Sequence, residues 1–409
     1  MQRRYFLQQS SLFTLSALAT TNAHLWIART ATSSPEQKRL IVIFLRGAVD
    51  GLSVVVPYTE PIYYQVRPRI AIPKPNQTEG VLKLDNRFGL HPALAPILPL
   101  WQGGSLAFVH AVGSPDNSRS HFDAQYYMES GTPGNKSTSD GWMNRLLASL
   151  SAKSALQAIN IGSTTPQILA GPMPVASMAP GRNATRPLSL DQIQVRRAFD
   201  QLYGGKDALS LAYREGQATR EFLLSELDEE MAIADNGAPP PVGFASDARR
   251  LARLMAKDAR VQLAFVPLGG WDTHVNQGAS KGNLARNLQS LGEGLAVLTK
   301  ELGPVYENTA IVVISEFGRT VKENGNGGTD HGHGNVLWVL GGAVRGGKIY
   351  GNFPGLETNQ LYQGRYLAVT TDFREALIPL IKNHLQVSSS GSSQIFPGFT
   401  PQQSLNLVG

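Results

Sequence analysis

No cysteine occurs among the 409 residues. This excludes disulfides, thiolate zinc sites and cysteine nucleophiles, and leaves Asp, Glu and His as the strong metal ligands. Long hydrophobic runs are missing too: none approaches the roughly 18 uncharged residues that span a bilayer. Charge of either sign is modest, with 37 Lys and Arg against 31 Asp and Glu for a net +6, part of it within the first forty positions. With no concentrated basic stripe, nucleic acid is not an expected partner. What the chain does have is a 42% hydrophobic content, enough to bury a substantial core in a globular protein of this length.

The N-terminus reads MQRRYFLQQSSLFTLSALATTNAHLW. Two arginines, a weakly apolar stretch from about Ser11 to Ala19 and a small-residue segment ending in TNA form the three regions of an export signal. With RRYFL at its head the segment resembles a twin-arginine signal, a route taken by proteins that fold before export. Residues 1–35 are therefore expected to be signal and linker, with cleavage near Ala23. The twin-arginine export machinery is then a partner, and the destination is periplasmic or otherwise exported. A plain basic tail is the blander reading of the same residues.

Beyond the linker, six short, apolar, β-branched runs read as buried strands: Leu40 to Leu45, Ser105 to Val112, Leu156 to Gly162, and the runs beginning at Val261, Thr309 and Asn335. Amphipathic helical patterns lie between and after them, starting at His121, Gly141, Asp247, Asn283 and Asp372. Strands alternating with helices predict an α/β fold, a three-layer sandwich around a mostly parallel sheet. From Leu188 to Gly243 the pattern changes to charge-rich helix without strand, closed by a proline-rich turn. It reads as a helical insertion in a single domain spanning 36–409.

In open α/β sheets the ligand site lies beyond the carboxyl ends of the strands. Asp50 follows the first strand, Asp272 and His274 follow the run from Val261 in GGWDTH, and Glu316 follows IVVIS. The stretch GTDHGHGN, which brings Asp330, His331 and His333 into the strand at Asn335, runs close to the same edge. PDNSRSHFDAQ places Ser118, Ser120 and His121 at a helix N-terminus, where free N–H groups favour an anion. Each motif also has a plain reading. Asp50 before Gly51 suits a turn, Ser120 suits a helix cap, and Glu316 with Arg319 suits a salt bridge. His91 and His110 sit in apolar surroundings and read as packing histidines. Taken together, carboxylates converging without cations would repel one another, and one or two divalent ions remove that conflict. A donor set of carboxylate and imidazole without sulfur admits Zn, Mn, Fe or Mg.

The segments FLRGAVDGLSVVVPY, SRSHFDAQYYMESGTPG, GGWDTHVNQG and ISEFGRTVKENGNGGTDHGHGN resemble the exported proteins of the DUF1501 family, which itself resembles the alkaline phosphatase and sulfatase superfamily. The resemblance implies an alkaline-phosphatase-like fold. It implies Asp50, Glu316 and a nucleophilic Ser120, with Ser118 as second choice, around one metal, and Asp272, His274 and His331 around another. The chain departs from that superfamily where Glu316–Phe317 replaces an Asp–His pair, so one imidazole is missing; His333 or His121 is a substitute. SPDNSR does not match the sulfatase signature. The expected activity is metal-dependent hydrolysis of a small anionic ester, with Arg46 or Arg319 as an anion clamp. A non-catalytic metal-binding or scaffold role is the alternative.

Overall fold

The computed structural model describes residues 37–150, 154–162, 164–180, 193–217 and 243–409. The expected signal at 1–35 lies outside them. Of the expected helical insertion, the described part is helical over Ile193–Leu202 and again from 208 to 217.

The strands are β1 Arg39–Leu45, β2 Val55–Val56, β3 Leu82–Lys83, β4 Gly89–Leu90, β5 Leu106–Gly113, β6 Ala158–Ile161, β7 Ala176–Met178, β8 Leu263–Leu268, β9 Thr309–Ile314, β10 Asn335–Gly341, β11 Lys348–Tyr350 and β12 Thr371–Asp372. The main sheet runs β11-β5-β10-β9-β1-β8-β6-β7, with β12 continuing beside β5, while β2, β4 and β3 form a small separate sheet. Pairing in the main sheet is parallel except at β10, which is antiparallel to both β9 and β5.

All seven residues of β1 are buried. Successive strand residues point to opposite faces, so Ile41, Ile43 and Leu45 enter one core and Leu40, Val42 and Phe44 the other. The first core is covered by the helices Phe244–Lys257 and Asn283–Leu302, the second by Trp142–Ser149 and Phe373–Pro379. This is the expected three-layer α/β sandwich. Among the described residues no helix is long and apolar enough to cross a membrane.

Reversal of one strand keeps a long loop at the carboxyl edge. Because β10 starts at the edge where β1, β5, β8 and β9 end, the segment from Ser315 to Gly334 never leaves that edge. It folds back on itself through Gly318 N–H to His333 O (2.9 Å), Gly332 N–H to Gly318 O (2.8 Å) and Thr320 N–H to Asp330 O (2.9 Å). Gly332 lies against the backbone of Arg319, and Gly328 against the carbonyls of Thr273 and His274, with no room for a Cβ at either. The glycines of GTDHGHGN are required by this close approach.

Asp50, expected as a ligand, is fully buried and turned inward. Its Oδ2 accepts Arg67 Nη1 (2.6 Å), Ser53 Oγ (2.7 Å) and Gln277 Nε2 (2.8 Å), and its Oδ1 accepts Arg67 Nη2 (3.1 Å). Arg67 also donates to the carbonyls of Val321 (2.7 Å) and Thr320 (2.9 Å). Gln277 Oε1 accepts the hydroxyls of Thr273 and Thr329, both at 2.9 Å. A bidentate ion pair thus forms the floor beneath the loops at this edge. Burial pushes the Asp50 carboxyl up, but the Arg67 guanidinium outweighs it and holds the group below its ordinary range.

Arg67→Ala leaves a buried carboxylate uncompensated and is expected to cost about 3–5 kcal/mol in urea unfolding. The folded pKa of Asp50 is depressed, so its stabilisation is fully present above the ordinary value of about 3.9 and is lost as pH falls through the lower folded value. Unfolding measured from pH 5 downward should show this loss in the wild type and not in Asp50→Asn.

Candidate metal centre

Three imidazoles and a carboxylate meet above that floor. His121 opens the helix His121–Ser130, Asp272 and His274 follow β8, and His331 lies on the returning arm before β10. The Nε2 atoms of His121 and His274 are each 3.0 Å from Nε2 of His331. Asp272 Oδ1 lies 3.1 Å from His274 Nε2, 3.6 Å from His331 Nε2 and 3.7 Å from His121 Nε2.

Each ring is held by its other nitrogen. His331 Nδ1 is 2.8 Å from the carbonyl oxygen of Arg119, His121 Nδ1 is 2.7 Å from Glu316 Oε1, and His274 Nδ1 is 3.3 Å from Asp330 Oδ1. Carbonyl and carboxylate oxygens only accept, so each Nδ1 carries the proton and each neutral ring presents its Nε2 lone pair inward. Lone pairs 3.0 Å apart repel unless a proton or a cation lies between them. A proton on His121 is favoured by its hydrogen bond to Glu316, which raises its pKa, while burial and then the His121 charge push His331 down. A divalent cation satisfies all the rings at once. Donors about 2.0–2.1 Å from a tetrahedral ion lie roughly 3.3 Å apart, and His121, His331 and Asp272 form a triangle with sides of 3.0, 3.6 and 3.7 Å. Among the described residues these three form the group able to hold an ion, and His274 adjoins it.

Arg319 ties the surrounding loops together. Its side chain is 0% exposed. It donates Nε to Ala48 O (2.7 Å), Nη1 to Thr329 O (3.0 Å), and Nη2 to Gly47 O (2.7 Å), Trp271 O (3.2 Å) and Asp272 Oδ1. Gly47, at φ +113°, lets the loop after β1 pack against Asp272 N, which a Cβ would approach to 2.7 Å. Burial raises the Asp272 carboxyl, and the Arg319 hydrogen bond and charge reverse this to hold it ionised and below its usual range. With all three nitrogens engaged inside the protein, Arg319 does not serve as the anion clamp expected of it.

The other expected residues sort by where their polar atoms point. Glu316 is buried, with Oε1 accepting Gly47 N–H (2.9 Å), His121 Nδ1 and Gln125 Nε2 (3.0 Å), and Oε2 accepting Ser315 Oγ (3.0 Å). Burial raises its carboxyl, and these donors, His121 first, bring it below its ordinary range. Glu316 therefore orients His121 instead of reaching an ion. Asp330 does the same for His274 while also accepting Asn324 Nδ2 at 3.0 Å. His333 packs at a tilt on Tyr362 with 4.7 Å between ring centroids and is not in the group able to hold an ion, and burial lowers its pKa to about 4. Arg46 pairs with the buried Glu129 at 2.7 Å. Ser120 Oγ caps its helix through Asp123 N at 3.5 Å, and Ser118 Oγ accepts Ser120 N–H at 3.3 Å. His91 and His110 are buried and held neutral, burial lowering both to about 4. Sequence reasoning missed Arg67, Gln277 and Gln125. Gln277 shares a loop with Asp272, a signal that was present in GGWDTHVNQG; Arg67 carried none.

Comparison with curated proteins finds no match. Among solved structures, the chain is similar to BT1596, a 2-O GAG sulfatase, at 10% identity over 90% of this chain and 76% of that one, with a TM-score of 0.42. It is similar to the C-terminal periplasmic domain of EcEptC from Escherichia coli at 11% identity over 91% and 90%, TM-score 0.39. It is similar to the alkaline phosphatase of the Antarctic bacterium TAB5 at 11% identity over 77% and 95%, TM-score 0.32. Likenesses this distant carry no weight for the chemistry of this site. The match to the family described as protein of unknown function DUF1501 is of a different order, running from residue 37 to 396 and taking in the main sheet and every cluster residue; the chain belongs to the DUF1501 family.

Proposed function

We propose that this protein is a metal-dependent hydrolase of phosphate or related esters that works outside the cytoplasm. The observation that carries the reading is the convergence of the His121, His274 and His331 Nε2 atoms on Asp272, each ring tethered through Nδ1. A bound divalent ion supplies Lewis-acid polarisation of an ester oxygen and lowers the pKa of water.

The chain's own residues hold and orient. His121, His331 and Asp272 hold the ion, with His274 beside them. Glu316, Asp330 and the Arg119 carbonyl fix the rings. Imidazole donors suit Zn or Fe, with Mn less favoured and Mg least. One ion is the expected stoichiometry, since the described residues contain one such group. Ser120 as nucleophile is supported by its place next to His121 and by a hydroxyl held only through a long cap contact. The reading of residues 1–35 as a twin-arginine signal supports action after export. A second reading, metal binding without catalysis, is favoured by the apolar Phe317, where a further imidazole ligand was expected, packed on the His121 and His331 rings.

Asp272→Ala should remove metal, read by elemental analysis, and hydrolysis of bis(4-nitrophenyl) phosphate together. Full turnover in that variant would rule out the proposed site. Wild-type protein that holds metal yet hydrolyses no phosphate mono- or diester or sulfate ester selects the non-catalytic reading. In Ser120→Ala, loss of turnover with metal retained assigns the attack to Ser120, whereas full activity assigns it to water. Glu316→Gln keeps an acceptor for His121 but loses its charge, and should weaken metal affinity roughly 10–100-fold by chelator competition. Changing Arg3 and Arg4 to Lys should leave the precursor in the cytoplasm, read by cell fractionation.

A further inference from the structure

Beside the cluster lies a cavity of about 320 Å³, at the lower end of the roughly 300–1,000 Å³ typical of small-molecule sites. Val321, Leu356 and Leu361 give it an apolar wall, and Lys322 and Arg365 stand at its rim. Neither of these cations lies within 4 Å of a carboxylate among the described residues, though Arg365 acts on Asp330 from further away, while the acidic Glu323 in the same wall is bound by Arg69 at 2.6 Å. Asp330 also lines the cavity, its Oδ1 engaged by Asn324 and His274. That carboxylate is thus common to the cavity wall and to the shell that orients a metal donor.

We propose that this cavity binds the body of a small amphipathic organic anion, a compact apolar or aromatic group bearing an anionic head that Lys322 and Arg365 receive. The proposal rests on the hydrolase reading where it makes this anion the substrate, because a molecule seated against Asp330 borders the His274 side of the cluster. The binding itself does not depend on turnover. Apolar walls take up the body by removing it from water, and with Glu323 bound by Arg69 the two cations at the rim outnumber the one remaining carboxylate, Asp330, which favours negative charge. A simple inorganic phosphate leaves the apolar wall unfilled and is disfavoured.

The test uses the intact metal-loaded protein and two matched probes: naphthalene-2-sulfonate, which is not an ester, and 2-naphthyl phosphate, which is. Calorimetry with the sulfonate should give saturable one-to-one binding. Thr358→Trp, at an exposed position on the cavity wall, should abolish it by filling the space. The double reversal Lys322→Glu, Arg365→Glu should weaken it roughly tenfold or more. All variants should keep wild-type circular dichroism and metal content. With 2-naphthyl phosphate the same variants should raise KM and leave kcat unchanged. Sulfonate binding indifferent to both changes overturns the cavity assignment even if esters are hydrolysed. Cavity-dependent sulfonate binding without hydrolysis of any ester upholds the cavity and removes the hydrolase reading.

Discussion

The buried guanidinium of Arg319 is the interaction on which the carboxyl edge of the sheet depends. A charge without solvent exposure is tolerable only when its donors are satisfied and its charge is met. Arg319 achieves both by gathering carbonyls from the loop after β1, the loop after β8 and the arm before β10, and by pairing with Asp272. The last two also share backbone bonds, Asn276 and Gln277 N–H to the carbonyls of Asn326 and Gly327 and Thr329 N–H to that of Thr273, and Arg319 adds the loop after β1 to them. The planar fork of a single arginine fixes their mutual distance, which an ammonium on a flexible stem does not. Directly below, Arg67 and Asp50 repeat the device with the signs fully buried, and Gln277 joins the two levels through Thr273 and Thr329.

Rigidity of this kind has a use. Imidazoles drawn together to 3.0 Å between ring nitrogens spread apart if their supports allow it. Here His121 is anchored by a buried carboxylate with four donors on it, and His331 by a main-chain carbonyl. The supports hold the ring nitrogens at this spacing, where a proton or a cation between them relieves the repulsion. The acidic groups outside the cluster, Asp50, Glu316 and Asp330, are neutralised locally by their own donors, and their charge does not need the ion.

Much of the architecture was legible in the sequence because it is written in local pattern. Runs such as Leu40 to Leu45 are too apolar and too short for anything but a buried strand, and the rule that sites gather at carboxyl ends then pointed to the edge where the imidazoles meet. Asp272, His274 and His331 were placed at that edge by this rule, and the structure brings them together with His121. What local pattern does not carry is the direction of a side chain at that edge. Asp50, Glu316 and Asp330 follow or precede strands just as ligands do, yet their oxygens face protein donors supplied by Arg67, Gln277, Gly47, Gln125 and Asn324. Most of those donors lie on other elements, and nothing in a short window distinguishes an acid that meets a metal from one that supports a histidine. The anion clamp failed for the same reason: an arginine at a loop tip looks available until the carbonyls packed around it are known.

Phe317 shows how such a position bears on chemistry. In sequence, Phe317 after Glu316 reads as a missing imidazole ligand. In the fold Phe317 is 3% exposed, joins Ala48 and Ala124 in a small apolar cluster, and packs at 5.0 Å from the His121 ring and 5.2 Å from that of His331. It sets an apolar wall against these two rings. Such a wall lowers the local dielectric and strengthens the hydrogen bonds from the rings to their anchors. With Asp50 and Glu316 turned inward onto protein donors, the side chains left facing one another at this edge are His121, His274, His331 and Asp272.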